Sequence, residues 1–288
     1  MNHAQDAKLY GVIGHPIGHT LSPLMHNTAF KALGIDGSMS AYDIEPGSLK
    51  EALQGFVSAG FGGLNVTIPH KEAIIPFLDD IDDEARVVGA INTVKFDGRS
   101  TTGYNTDIHG FLRTLEPFRT SIEGGRFLVL GAGGVARAVV YVLLRYFETG
   151  QLVVASRSLA RASDLAENFR ETSPAKLAVL TFQDPQITRV FEASNVIINA
   201  TPAGMTPSIS EMPLANPPFR KEHVVVDLIY RPIVTEFLRR ASEARAQTVS
   251  GLEMFIHQGA RSFELWTGKA MDIPLARKVL LEKLHQET

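Results

Sequence analysis

Three groups of residues in the 288-residue chain have types and spacing suited to chemistry. The first is Gly131, Ala132, Gly133, Gly134 and Val135, set between the apolar run Phe127–Leu130 and an apolar stretch from Val135 to Tyr146 unbroken by Gly or Pro. Strand, glycine turn and helix form the context in which such a pattern reads as a dinucleotide site. The first glycine permits the tight turn and the second lets backbone approach a pyrophosphate. Ala136 stands in the third position, where Ala is an accepted variant. The free N–H groups and dipole of the helix start favour the anion. The second group is Ser156-Arg157-Ser158 at the end of the next expected strand, with Arg161 one turn later. No Asp or Glu stands there to hold a ribose 2′-hydroxyl, and arginines favour a 2′-phosphate, hence NADP. The alternative is two solvated arginines on a surface helix. The third group is Lys71, Asp107, Thr20 and Ser22. Lys71 falls in the first turn of a helix expected from Pro69, where the dipole disfavours a cation. It is either a solvated charge or a lysine held for chemistry. Asp107 lies at a strand-to-helix junction, as an N-cap or a reactive group. The Thr20 and Ser22 hydroxyls follow the first strand. Ser22-Pro23 also has the form of a helix start, with Ser as N-cap and Pro at N1.

These groups need elements to hold them. Before the glycine turn, strands are expected at Leu9–Ile13, Ser38–Ile44 and Ala90–Phe96, the last turning at Asp97-Gly98 and returning over Thr101–Tyr104. Helices are expected from Ser22 to Leu33, around Leu49, Leu53, Phe56 and Val57, from Asp79 to Val88, and from Ile108 to Leu115. After it, the chain alternates over Leu152–Ala155, Ala160–Phe169, Leu177–Leu180, Val196–Asn199, Val224–Asp227, Glu236–Ala244 and Thr248–Ser250. That alternation is the doubly wound pattern, with ligands at the carboxyl ends of parallel strands. Asn199-Ala-Thr201-Pro-Ala-Gly-Met205 opens a Pro-rich loop suited to the rim of such a site. A helix over Gly251–Gly268 presents Leu252, Phe255, Ile256, Phe263 and Leu265, with Gln258 among them as a core amide or a ligand contact. A final helix, Ile273–Leu284, is expected to pack on the first domain.

Composition narrows the field. A net charge of −3 gives no strong field for nucleic acid, and no basic run marks a membrane surface. The chain has no cysteine, which excludes disulfides and thiolate chemistry. His15, His19 and His26 invite a metal reading, but two lie in a Gly/Pro loop with no carboxylate at ligand spacing in sequence, so no metal is expected. Met1–Lys8 holds no apolar leader region, so a cytoplasmic location is the expectation.

From Tyr10 to Gly268 the chain resembles the shikimate/quinate dehydrogenase family. The resemblance rests on Gly14-His-Pro-Ile-Gly-His-Thr-Leu-Ser-Pro-Leu-Met-His-Asn27, Asn65-Val-Thr-Ile-Pro-His-Lys71, Gly89-Ala-Ile-Asn-Thr93, Asn105-Thr-Asp107, Gly131-Ala-Gly-Gly134, Asn199-Ala-Thr-Pro-Ala-Gly-Met205 and Asp227-Leu-Ile-Tyr230, in this order. It implies an α/β protein of two domains. One is a discontinuous substrate domain, residues 1–108 plus 251–288; the other is a Rossmann-like NADP domain, residues 109–250. By the family pattern, Lys71 and Asp107 form the catalytic pair. Thr20, Ser22, Asn65, Thr67, Asn92, Asp107 and Gln258 contact substrate, and Tyr230 joins them near the nicotinamide, with Gly251 and Met254. The cofactor set is completed by Gly131, Ala132, Gly133, Gly134, Val135, Ser156, Arg157, Ser158, Arg161 and Thr201.

The implied reaction is reversible reduction of 3-dehydroshikimate with NADPH by a cytoplasmic monomer or homodimer, without nucleic acid or membrane. Lys71 would give the proton to the forming alkoxide, and Asp107 would orient and charge-balance it. Hydroxyls and amides suit a polyol carboxylate. Two residues depart from the pattern: Thr20 stands where Ser is usual, and Ser156 where Asn is common. The other readings are a quinate dehydrogenase using NAD, a non-catalytic ligand sensor on the same scaffold, and another two-domain NADP enzyme such as a folate dehydrogenase.

Overall fold

The computed structural model describes residues 8–170 and 177–286. The chain folds as two compact units, one built from the chain before Asp107 together with residues from Ile256 on, the other spanning Asp107–Phe255. Met1–Ala7, on which the absence of a leader was read, lie outside the described residues.

The first unit begins with β1 (Lys8–Gly14), α1 (Ser22–Ala32), β2 (Gly37–Asp43), α2 (Leu49–Ser58), β3 (Gly63–Val66) and α3 (His70–Ala73). It continues through β4 (Asp80–Ile81), α4 (Asp83–Val88), β5 (Thr93–Asp97) and β6 (Ser100–Tyr104). These strands form a six-stranded mixed sheet ordered β2-β1-β3-β5-β6-β4. β1 is parallel to β2 and β3, whereas β5 runs antiparallel to β3 and β6. The core beneath it joins Ile13, Leu64, Val66 and Val94 to Leu49, Leu53 and Phe56 of α2, the face read from the sequence. Each such side chain contributes about 1.5–3 kcal/mol on burial.

The second unit contains α5 (Asp107–Leu115), α6 (Arg119–Ile122), β7 (Arg126–Leu130), α7 (Gly134–Tyr146), β8 (Gln151–Ser156), α8 (Leu159–Asn168) and β9 (Leu177–Thr181). Then come α9 (Ile187–Ala193), β10 (Val196–Asn199), β11 (Val224–Asp227), α10 (Glu236–Glu243) and β12 (Gln247–Ser250). α11 (Leu252–Thr267) and α12 (Ile273–His285) end the chain, and the division between units falls inside α11. The second sheet is ordered β12-β11-β10-β7-β8-β9, with all neighbouring strands parallel. This is the doubly wound order, with its switch point between β7 and β10. One face carries Phe191 of α9 and Phe237, Leu238 and Ala241 of α10. α5 packs against α7, which is buried along nearly its whole length. α12 packs on α1, as expected.

Four local expectations are corrected. Ser22 does not cap α1: Leu21 is the cap residue, and no side chain caps the helix. The acidic helix does not start at Asp79. Asp79 instead accepts the backbone N–H and hydroxyl of Thr101 at 2.8 and 2.9 Å, Asp80–Ile81 pairs with β6, and Asp82 caps α4. The β5–β6 turn is centred one residue later than read, because Asp97 pairs with Ser100 and Gly98, at φ +61°, enters the loop with Arg99. α9 was missed, being short and β-branched at Ile187, Thr188 and Val190.

Candidate functional site

In the first unit, parallel pairing sets Asn65 of β3 beside Val12 of β1, and antiparallel pairing sets it opposite Thr93 of β5. The loop after β1 carries Thr20 and Ser22. The Thr20 hydroxyl donates to Ser22 Oγ at 3.2 Å and accepts the Ser22 backbone N–H at 3.2 Å. After β3 come Thr67 in the loop and Lys71 in α3, both half-buried. Thr67 N–H donates to Ile13 O at 2.9 Å, and Gly14 leaves the room its methyl occupies. The Lys71 carbonyl accepts Ile91 N–H at 2.7 Å, which fixes Lys71 beside the segment holding Asn92.

Asn92 is 3% exposed and gathers the cluster. Its Oδ1 accepts the Thr106 backbone N–H at 2.7 Å and the hydroxyls of Thr106 and Thr93. Its Nδ2 donates to Thr106 Oγ1 at 3.0 Å and to Gln258 Oε1 at 3.3 Å. Gln258 is therefore no isolated core amide. Asn65 Nδ2 donates to Ser262 Oγ at 3.0 Å, and Ser262 Oγ lies 2.7 Å from Thr93 Oγ1. Thr93, Thr106 and Ser262 were not foreseen as site residues. The only signal in sequence is that each neighbours one that was: next to Asn92, next to Asp107, and one turn beyond Gln258.

Asp107 is buried and opens α5, in the second unit. It follows Thr106 directly in the chain. Its helix packs on α7, which is why it divides with the second unit rather than with residues 1–106.

The second unit brings the remaining residues to the carboxyl ends of five neighbouring strands, β12, β11, β10, β7 and β8. After β7, Gly131 has φ +116°, and a Cβ there would meet Ala200 O at 2.8 Å. That contact places the glycine turn against the start of the loop after β10, at the switch point. Gly133 precedes the first turn of α7, where no side chain caps the helix and no acidic residue stands. A Cβ on Gly133 would meet nothing within 4 Å. Uncapped N–H groups facing open space fit a phosphate group. Ala132, Gly134 and Val135 flank them, half-exposed, and Ala136 is buried where close helix packing demands a small residue.

Beyond β8, Ser156 is buried and accepts Ser158 N–H at 3.3 Å, while Ser158 caps α8 through Arg161 N–H. Arg157 and Arg161 are exposed, and neither has an ion pair among the described residues. Thr201, after β10, donates to Asn199 Oδ1 at 2.7 Å. Asn199 in turn donates to Asp227 Oδ1 at 3.1 Å, and Asp227 Oδ2 accepts the Thr235 hydroxyl at 2.6 Å. Burial pushes the Asp227 carboxyl up to about 6 against its hydrogen bonds from Thr235, the Ile229 N–H and Asn199, which pull it down. After β11, Tyr230 stacks on Phe255 with ring centroids 4.1 Å apart. Gly251 packs on the Leu228 carbonyl so closely that no Cβ fits, and Met254 is buried one turn into the region after it.

Among the described residues, no cluster of three or more His, Asp or Glu could hold a metal ion. A carboxylate does reach His15: its Nδ1 lies 2.7 Å from Asp43 Oδ1, a partner brought by β2 that sequence spacing did not reveal. No helix among the described residues is long and apolar enough to cross a membrane.

Comparison with known proteins agrees with this layout. Residues 12–94 match a family described as the shikimate dehydrogenase substrate binding domain, and residues 251–281 one described as the shikimate 5′-dehydrogenase C-terminal domain. Residues 127–217 match the saccharopine dehydrogenase NADP binding domain. The shikimate dehydrogenase (NADP(+)) of Moorella thermoacetica is 42% identical over 276 residues, 96% of this chain and 93% of the relative. The crystal structure of the Thermus thermophilus shikimate 5-dehydrogenase with NADP(H) and shikimate superposes with TM-score 0.83 at 36% identity, covering 96% of this chain and 99% of that one. The Corynebacterium glutamicum quinate dehydrogenase with NAD gives 0.86 at 33% identity and the same coverage. On this likeness over nearly its full length, the chain belongs to the shikimate dehydrogenase family.

Proposed function

We propose that the protein is an NADP-dependent shikimate dehydrogenase that reversibly reduces 3-dehydroshikimate to shikimate, a step toward aromatic amino acids. The observation that carries the reading is the amide–hydroxyl cluster built on Asn92. It is bonded to Gln258 and Thr106, and Ile91 beside it holds the Lys71 backbone. Such a set of neutral donors and acceptors suits a ring polyol, and the Thr20 and Ser22 hydroxyls suit its carboxylate.

NADPH, when bound, supplies the hydride for the ring carbonyl. The residues of the chain manage the proton and the charge. Lys71, half-buried, can donate to the alkoxide as it forms and offset its negative charge. Asp107 is proposed to orient and balance the lysine. Asn65, Thr67, Asn92 and Gln258 are proposed to hold the ring, and Tyr230, Gly251 and Met254 to border the nicotinamide. Gly131–Val135 would receive the pyrophosphate; Ser156, Arg157, Ser158 and Arg161 the adenosine phosphate; Thr201 the loop side. The partners we propose are small molecules only, for a cytoplasmic monomer or homodimer.

The test is absorbance at the nicotinamide band with shikimate or quinate, each against NADP and NAD. Fastest turnover with shikimate and NADP is expected. Preference for quinate and NAD would give the quinate dehydrogenase reading, and no turnover with any pair would leave a ligand sensor.

A further inference from the structure

His26, on α1, has a fully buried side chain. Phe30, Phe263 and Trp266 enclose the ring, with centroids 6.5, 6.0 and 5.2 Å away. Neither ring nitrogen has a hydrogen bond of ordinary geometry, and neither does the buried Oδ1 of Asn65. Burial drives the His26 pKa down to about 3, and the Asn65 side chain is the group that opposes it. The ring lies against Gly259, Phe263 and Trp266 of α11, the helix whose Ser262 takes the Asn65 Nδ2, so the buried Oδ1 of Asn65 is the acceptor left for a ring N–H. At neutral pH the imidazole is uncharged and has one N–H to give.

The other end of the Asn65 amide is committed. Its Nδ2 donates to Ser262 Oγ at 3.0 Å and lies 3.3 Å from Thr93 Oγ1. Thr93 passes the chain to Asn92 Oδ1 at 3.2 Å, and Asn92 Nδ2 passes it to Gln258 Oε1 at 3.3 Å. The chain has a direction. Turning the Asn65 amide over would set its NH₂ against the imidazole and its oxygen against Ser262, so the ring would have to change tautomer and every hydroxyl beyond would have to reorient.

We propose that His26 is a positioning residue: by donating to Asn65 Oδ1 it holds that amide in one orientation and, through Thr93 and Asn92, sets the face Gln258 offers the substrate. This rests on the function proposed above. His26 itself stays inside its aromatic cage.

The experiment compares wild type, His26→Phe and His26→Gln in shikimate oxidation at saturating NADP. Phe fills the cage without a donor; Gln restores a donor without the ring. His26→Phe should raise KM for shikimate roughly tenfold, the size of one lost hydrogen bond, with KM for NADP unchanged. His26→Gln should recover most of that loss. A merely structural role predicts the reverse order, with Phe the better tolerated. Wild-type KM in His26→Phe, or equal damage from both variants, overturns the proposal. If His26→Phe does not fold, the imidazole ¹H–¹⁵N signal of the wild type decides. It should show one protonated ring nitrogen and move when shikimate is added, and a signal blind to shikimate also overturns the proposal. Absence of any wild-type turnover would instead remove the function on which it rests.

Discussion

The Thr20 hydroxyl is held by Ser22 twice, donating to its side chain and accepting its backbone N–H, both at 3.2 Å. Two bonds to one oxygen fix the Thr20 rotamer, and a β-branched residue has little freedom to begin with. The methyl group therefore has a fixed direction too. On the proposed substrate carboxylate side it narrows the space that the extra hydroxyl of quinate needs. A methylene-sized change in a pocket is worth about 1–3 kcal/mol of discrimination. The expected outcome is a higher kcat/KM for shikimate than for quinate, with Thr20→Ser narrowing the gap. Both acids measured in both proteins at saturating NADP check it; an unchanged ratio would mean that the preference arises elsewhere in the pocket.

Lys71→Ala should lower kcat by roughly 100-fold or more, within the 10² to 10⁴ that a general acid supplies. The Lys71 side chain is only half-buried, and the bond from Ile91 goes to its backbone, so the fold should survive. The check is kcat beside a thermal midpoint. Near-normal turnover in a folded variant would sink the role given to Lys71.

Arg157→Ala should weaken NADP by about 1.5–3 kcal/mol, the usual worth of a charged hydrogen bond, and barely move NAD. Its side chain is exposed and has no ion pair among the described residues, so stability should not change. Titration of both cofactors against both proteins decides, and equal losses for the two would show that Arg157 does not read the phosphate.

Asp227 gives a pH signature. Its folded pKa of about 6 lies above the ordinary 3.8, so the native state binds this proton more tightly than the unfolded chain. Its contribution therefore favours the fold below about pH 4 and is lost as pH rises through about 6, by on the order of 3 kcal/mol. Asp227→Asn keeps an oxygen for Asn199 and Ile229 and has no charge to bury. Urea unfolding from pH 4 to 7 should show the wild type losing stability relative to the variant as pH rises. Parallel curves would contradict the assignment.

What the sequence disclosed follows from the range of the forces involved. β10 and β11 begin and end at the residues expected, Val196–Asn199 and Val224–Asp227, because fully buried strands are written as continuous apolar runs. The glycine turn was equally legible, since its meaning is local. Ser22 was misread because a cap and a loop hydroxyl look alike until Thr20 is seen to hold it. The polar cluster was legible only through the family resemblance. Its bonds to α11 join residues 156 to 197 positions apart, and no window along the chain contains both partners. Asp79 was assigned to a helix for the same reason: its partner Thr101 comes from across the sheet.

Trp266 is the only tryptophan in the chain. Its indole N–H donates to Val94 O at 3.0 Å, its ring packs on Tyr10 and His26, and it presses so closely on Gly63 that no Cβ could stand there. The core of the first unit is thus closed by a residue synthesised after the whole of the second. On the ribosome the usual order, N-terminal part first, is inverted. The unit over Asp107–Phe255 is complete when it emerges, whereas the strands made earliest must wait for the last helices. Nascent β1 and β3 are apolar and lack their lid during that interval, so this is the stage at which a chaperone would have most to hold. The fluorescence of that single indole marks its end.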